Sequence, residues 1–324
     1  MNKIHRLKII VFGDIFLDEY IDGYCNRLSP ESPIPILNYI KKKYNLGGAA
    51  NVASNLKNLE VKVSICSQIG IDKDAETIKS LLKEQKFSSV HLFKNKNIET
   101  IIKTRITSKN HQFIRIDKEP LDIERYYFVP NKNNYKIIED LIKKNEIIVL
   151  SDYGKGFFTK NLIKKIISIS KKFKRKTIID PKKNNSDISI YKNADFFKPN
   201  LFELKTLFSE FKNDDLSIAS YAKILIKKYN FKALIITRSE DGITLVTKDK
   251  VIHDKIDVKS VYDVSGAGDT VLSVVSSLLN SNLTYKQIIE IANKSALRVI
   301  LSKGTVPINK NDFKKIIEPY INLI

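Results

Sequence analysis

Short runs of β-branched and other apolar residues recur along the chain, and most are followed by a stretch whose apolar positions return every three or four residues. The runs at residues 7–13, 61–67, 146–152, 177–180, 194–198 and 233–237 predict strands, because a short unbroken apolar run suits a strand buried on both faces. The periodic stretches at 48–59, 74–84, 135–144, 160–173, 217–229, 270–280 and 285–301 predict helices. Alternation of this kind implies an α/β fold, a mostly parallel sheet with helices on both faces. Several predicted strands run into a polar residue just past their apolar part: Asp14, Asp152, Asp180, Asn200 and Thr237. In open α/β sheets, ligands bind beyond those carboxyl ends.

Two stretches break the alternation. Residues from about 20–43 and 99–117 are strand-like without a long helix between strands. Ile101, Lys103, Arg105 and Thr107 alternate with Ile102, Thr104 and Ile106, the pattern of a half-exposed antiparallel strand. The expectation is a small β-sheet inserted into one domain spanning 1–324, a flap that closes over a site or pairs with a second subunit.

Composition narrows the function classes. A chain of 324 residues buries a large core without disulfides, and its two cysteines, Cys25 and Cys66, lack metal-type spacing. The four histidines, His5, His91, His111 and His253, form no sequence cluster. The apolar run at 9–12 is too short for a signal peptide, and none approaches the roughly 20 residues that span a bilayer. A cytoplasmic protein is expected, with no membrane partner. The net charge of +20 raises nucleic-acid binding. However, the lysines are spread over polar helix faces, as at Lys164, Lys165, Lys171 and Lys172, and no basic-aromatic motif appears. No nucleic-acid partner is expected. A basic field still attracts phosphorylated ligands.

The strongest chemical signal is Gly266-Ala267-Gly268-Asp269-Thr270, between a short extended run at 260–264 and an apolar-periodic helix. Two glycines permit a sharp turn and expose backbone N–H groups, which with the helix dipole make an anion site. A carboxylate there stays ionised and can take a proton from a hydroxyl attacking a phosphoryl group. The same residues also read as a glycine turn with an aspartate cap. Gly47-Gly48-Ala49-Ala50-Asn51 opens another helix; its small residues allow close approach and its amide can bond sugar hydroxyls. Asp14 and Asp18 follow the first strand and are either hydroxyl acceptors or turn acids. Asn200 and Glu203 either form a capping box or hold metal-bound water near nucleotide phosphates. Asp152 and Lys155, like Asp180 and Lys182, place an acid and then a lysine after a strand. No Gly-Lys-Ser or Gly-Lys-Thr phosphate loop is present, which excludes a Walker-type kinase.

Taken in order, Gly47 to Asn51, Asn200-Leu201-Phe202-Glu203 and Gly266 to Thr270 resemble the ribokinase (PfkB) family of carbohydrate kinases, from about residue 7 to 318. Within it, the chain is most similar to the branch acting on D-glycero-β-D-manno-heptose 7-phosphate. Residues 11–14, 17–18 and 27–35 carry that likeness, with 150–156, 179–182 and 237–242. The resemblance implies a ribokinase-like three-layer α/β/α core with a β-sheet lid, often used for homodimerisation. It implies ATP and Mg²⁺, and transfer of the γ-phosphoryl group to O1 of the heptose phosphate, a step toward ADP-heptose and the lipopolysaccharide core. Another sugar, sugar phosphate or nucleoside as acceptor is the alternative. Asp269 would be the base, with N–H groups of Gly266, Ala267 and Gly268 holding charge. Asn200 and Glu203 would sit at the phosphates and Mg²⁺; Thr237, Ser239, Gly242 and Gly268 would line the nucleotide. Asp14, Asp18, Gly48 and Asn51 would hold the sugar, with Asp152, Lys155, Asp180 and Lys182 around acceptor and phosphates. Arg105 and Arg115 are the candidates for the acceptor's own phosphate. The chain departs from the pattern at Glu60, where glycine is usual, at Ser265 and at Lys198, where threonine is usual. It holds no His-x-Gly-His motif, so a kinase domain without a nucleotidyltransferase is expected.

Overall fold

The computed structural model describes residues 2–109, 111–120, 122–182, 187–255, 264–302 and 304–324. Its strands are β1 (Lys8–Gly13), β2 (Ile15–Leu28), β3 (Pro35–Gly48), β4 (Lys62–Ile69), β5 (Ser89–Lys94), β6 (Ile102–Ser108), β7 (His111–Lys118), β8 (Ile147–Ser151), β9 (Lys176–Asp180), β10 (Phe196–Phe197), β11 (Ala233–Thr237), β12 (Ile243–Thr247) and β13 (Val251–Asp254). The α-helices are α1 (Asn2–Arg6), α2 (Ala49–Asn58), α3 (Lys73–Gln85), α4 (Lys132–Lys144), α5 (Lys160–Lys172), α6 (Leu201–Lys205), α7 (Asp215–Tyr229), α8 (Ala267–Leu278), α9 (Tyr285–Ile300) and α10 (Lys310–Ile317). The extended run expected at 260–264 lies, apart from Val264, outside the described residues.

The large sheet has the order β13-β12-β11-β10-β9-β8-β1-β4-β5. All its pairings are parallel except β11 with β12 and β12 with β13. Successive residues of β1 feed two different cores. Ile9 and Val11 pack with α2, α8 and α9 residues such as Leu56, Leu272 and Ile289. Ile10 and Phe12 pack with Ile138, Ile166 and Leu225 of α4, α5 and α7. The period of two in side-chain direction makes both faces apolar, which is why these strands read as unbroken apolar runs. Helix starts are set by side-chain caps: Asp72 for α3, Thr159 for α5, Asp214 for α7, and capping boxes at Asn131 and Thr284 for α4 and α9.

The second sheet has the order β3-β2-β6-β7. The chain leaves β1 and enters this sheet through a single residue, Asp14. The expected flap is therefore present, with strands longer than expected: β2 begins at Ile15 and β3 runs to Gly48. Direct pairing of Asp18 with Lys103, Tyr20 with Arg105, and Arg105 with Arg115 puts these side chains on one face. That face reaches the segment after α9, since the Tyr20 hydroxyl donates to Thr305 Oγ1 and accepts from the Thr305 N–H at 2.7 Å. The opposite face carries Ile106, Ile114 and Ile116, and the last two are about half exposed.

Glu60, at the usual glycine position after α2, takes a left-handed φ of 64°. Its carboxylate pairs with Lys310 and Lys314 of α10, so a helix-end conformation that favours glycine is held by charge instead.

Candidate active site

Order in the large sheet reverses at β1, which lies between β8 and β4. The candidate residues gather near the carboxyl ends flanking that switch point. Gly266 starts α8 with a φ of 85°, and a Cβ there would lie 3.2 Å from Asn51 Nδ2. Glycine thus lets the helix begin against Asn51. No side chain caps α8, and its first-turn N–H groups and dipole end face the site. The Ala267 N–H is the exception, donating to the Val264 carbonyl at 3.3 Å.

Asp269 is the third residue of α8 and only 5% exposed. Its carboxylate accepts from Asn51 Nδ2 at 2.7 Å and from the Tyr153 hydroxyl at 2.8 Å. The Asn51 amide therefore orients Asp269, where the sequence suggested a bond to sugar. Burial, then the Asp180 charge, pushes the Asp269 carboxyl up to about 6, while Asn51, Tyr153 and Lys198 work the other way. Burial and the Asp269 charge raise the Tyr153 phenol well above its ordinary value, so it stays a donor. The carboxyl's state is set by desolvation more than by the expected nest of N–H groups, and it remains mostly ionised at neutral pH.

Lys198 directly follows β10 and is 3% exposed. Its ammonium meets Asp180 Oδ1 at 2.8 Å. Burial opposes its charge, but Asp180, Glu203 and Asp269 outweigh that and raise its affinity for the proton. A lysine at the usual threonine position is thus a buried cation beside Asp269.

Asn200 and Glu203 form the capping box at α6. Asn200 Oδ1 accepts from the Glu203 N–H at 2.8 Å, and the Glu203 carboxylate accepts from the Asn200 N–H at 2.9 Å and Nδ2 at 2.8 Å. Thr237 bridges to Asn200 at the end of β11. Ser239 and Gly242 follow in a turn where Gly242 has a φ of 76°, and a Cβ there would meet the Asp254 carbonyl at 2.1 Å. All five residues follow or end β10 and β11 in the chain.

The acids after β1 and β8 are more engaged than their sequence suggests. Asp14 accepts backbone N–H bonds from Tyr153, Lys155 and Phe157 at 3.1, 3.1 and 2.9 Å. Asp152 accepts from the Tyr191 hydroxyl at 2.6 Å and the Gly154 N–H at 2.8 Å. Burial and the Asp14 charge push the Asp152 carboxyl up to about 7. Lys155 pairs with Glu119 at 2.6 Å, and Lys182 packs against Gly154. Gly48, with a φ of 62°, brings β3 onto Asp14, whose carbonyl accepts from the Ala49 N–H.

Asp18 and Arg105 form a buried pair at 2.5 Å. Arg115 is exposed and gives two bonds to Asp117, at 2.8 and 2.9 Å. Sequence reasoning missed Tyr153 as a partner of Asp269 and noticed Lys198 only as a departure. A tyrosine within the Asp152–Gly156 motif was the available signal for the first. Among the described residues no His, Cys, Asp and Glu cluster suits a metal ion.

The pattern of the pfkB family carbohydrate kinases matches residues 8–311. The "Bifunctional protein HldE" of Helicobacter pylori (strain G27) is 35% identical over 301 residues, 92% of this chain. The chain spans 64% of that relative's length. Two solved structures share the fold. Phosphofructokinase-2 from Escherichia coli in complex with potassium superposes with a TM-score of 0.77 at 18% identity, covering 97% of this chain and 98% of that one. Arabidopsis thaliana ribokinase complexed with ribose and ATP gives 0.75 at 16%, covering 97% and 99%.

Proposed function

Because this chain belongs to the pfkB family of carbohydrate kinases, and so is a phosphotransferase acting on a sugar hydroxyl, we propose that it transfers the γ-phosphoryl group of ATP to O1 of D-glycero-β-D-manno-heptose 7-phosphate. The product would be the 1,7-bisphosphate, a precursor of ADP-heptose and lipopolysaccharide core. The observation that carries the chemistry is Asp269, buried, oriented by Asn51 and Tyr153, and placed in the first turn of an uncapped helix. The heptose assignment rests on residues 27–35, the Arg27-Leu28-Ser29-Pro30-Glu31-Ser32-Pro33-Ile34-Pro35 segment, and on the HldE relative.

In this reading Asp269 accepts the O1 proton as O1 bonds to the γ-phosphorus, and the bond from that phosphorus to the β,γ-bridging oxygen breaks to release ADP. The Gly268 N–H and the α8 dipole stabilise charge building on the transferred oxygens. Lys198 adds a fixed positive charge beside them. Thr237, Ser239 and Gly242 line the nucleotide. The Asn200 and Glu203 oxygens are hard donors that suit Mg²⁺ held through its water shell, which would neutralise phosphate charge. Their mutual capping bonds keep them in place for it.

A pH profile tests the base. The unprotonated carboxylate is the active form, so kcat/KM falls as pH drops through about 6, and the free-enzyme profile reports that value. A limb at the ordinary carboxylate range near 4 would contradict it. The substrate is tested by a phosphoryl-transfer screen with Mg-ATP over sugar 7-, 6- and 5-phosphates beside free sugars. Heptose 7-phosphate is expected to lead by at least tenfold in kcat/KM. A free sugar or nucleoside leading instead favours the alternative acceptor.

The same reading makes the small sheet a lid and its outer face the seat of a second copy. Half-exposed Ile114 and Ile116 beside Ile106 form an apolar strip there. Sedimentation at micromolar concentration is expected to give twice the chain mass; a monomer refutes it. No helix among the described residues is long and apolar enough to cross a membrane.

A further inference from the structure

We propose that the Lys103 ammonium binds the phosphate already carried by the acceptor, a phosphomonoester remote from the attacked hydroxyl. This rests on the reading that the acceptor is a sugar phosphate, and it moves the phosphate contact from the arginines to a lysine.

Four cations of the small sheet and the site have acids of their own. Arg105 holds Asp18, Arg115 holds Asp117 through two bonds, Lys155 holds Glu119, and Lys198 holds Asp180. Among the described residues, Lys103 has no carboxylate within ion-pair reach. The acids that act on it, Asp18, Asp117 and Glu119, are those claimed by Arg105, Arg115 and Lys155. The Lys103 ammonium instead sits 4.4 Å from the Phe16 ring centroid and 5.8 Å from that of Tyr153. Aromatic faces hold a cation without neutralising it.

Position supports the same assignment. Lys103 lies on β6 directly across from Asp18 of β2, on the sugar side of the switch point. The nucleotide-side residues Asn200 and Thr237 belong to the ends of β10 and β11, beyond β8 and β9. Tyr153 spans the distance from Lys103 to the base: its ring faces the ammonium and its hydroxyl donates to Asp269. A sugar phosphate lying along Tyr153 would put its reacting hydroxyl at Asp269 and its phosphate at Lys103. Burial and the nearby Lys155 charge lower the Lys103 affinity for its proton, and an arriving dianion reverses that penalty. A phosphate monoester is mostly dianionic at neutral pH.

The experiment compares wild type, Lys103→Met and Lys103→Arg with three ligands: heptose 7-phosphate, the same heptose without phosphate, and ATP. Lys103→Met is expected to raise KM for the phosphorylated sugar by about 10- to 100-fold, the range of one charge-assisted hydrogen bond. KM for ATP, and kcat/KM for the unphosphorylated heptose, are expected to stay within about threefold. Lys103→Arg is expected to recover most of the loss. Equal losses for both sugars, or an unmoved KM, overturn the proposal. The wild-type assay separates the two levels. If heptose 7-phosphate is a good substrate and Lys103→Met binds it normally, only the Lys103 assignment fails. If the wild type turns over no sugar phosphate, the substrate reading fails and this proposal with it.

Discussion

Asp269→Asn is expected to lower kcat by at least about 10²-fold while nucleotide affinity stays within a few-fold. Asparagine keeps the volume and can still accept the Asn51 N–H, but it cannot take a proton from the attacking hydroxyl. The loss should therefore appear in turnover, since a group that acts only in the transition state leaves ground-state binding alone. Stability gives a control with the opposite sign. The folded-state proton affinity of Asp269 is raised by burial, so the ionised carboxylate costs stability at pH above about 6. That cost grows as pH rises from the unfolded value through the folded one. The neutral asparagine lacks it, so the variant should melt at or above the wild-type temperature at pH 8 while being nearly inactive. A variant that is inactive and also melts far lower would assign the loss to misfolding. Full activity would remove Asp269 from the mechanism.

The second large effect concerns the lid. Asp18→Ala is expected to destabilise the protein by about 3–5 kcal/mol, because it leaves Arg105 charged and buried with its 2.5 Å partner gone. Arg105 is 8% exposed, lies over the Tyr20 ring and cannot shed its proton. Arg105→Met should cost a comparable amount for the mirror reason. The double variant Asp18→Ala with Arg105→Met should recover at least half of the single-variant loss, a coupling that denaturant midpoints measure. Additive losses would show that the two side chains do not stabilise each other. The cycle also separates two roles for Arg105. A substrate-phosphate ligand would lose binding with little change in stability, whereas a structural partner of Asp18 loses stability first.

The parts of this fold legible in the sequence are those where one residue's neighbours decide its fate. β1, β8, β9 and β11 are covered on both faces, so their apolar runs announce them. The turn at Gly266 to Asp269 needs glycine for a φ of 85°, and the box from Asn200 to Glu203 closes within four residues. Less legible were elements decided by distant partners. β5 and β13 are half-exposed edge strands with weak patterns. β10 keeps only Phe196 and Phe197 in ladder geometry, because the turn toward Asn200 takes the rest of the expected run. The acids misled for the same reason. Asp14 and Asp18 follow a strand and read as open hydroxyl acceptors. However, Asp14 is taken by N–H groups 139 to 143 positions later, and Asp18 by an arginine 87 positions away. No local pattern encodes such closures. The departure at Lys198 was visible as an odd residue, and its meaning came only with Asp180 beside it.

Phosphoryl transfer to O1 can be followed directly by phosphorus NMR of this chain with Mg-ATP and heptose 7-phosphate. One new phosphate resonance coupled to the anomeric proton is expected, appearing in step with ADP and absent with Asp269→Asn. A new phosphate on any other oxygen, or ADP released as inorganic phosphate accumulates with the sugar unchanged, would contradict it.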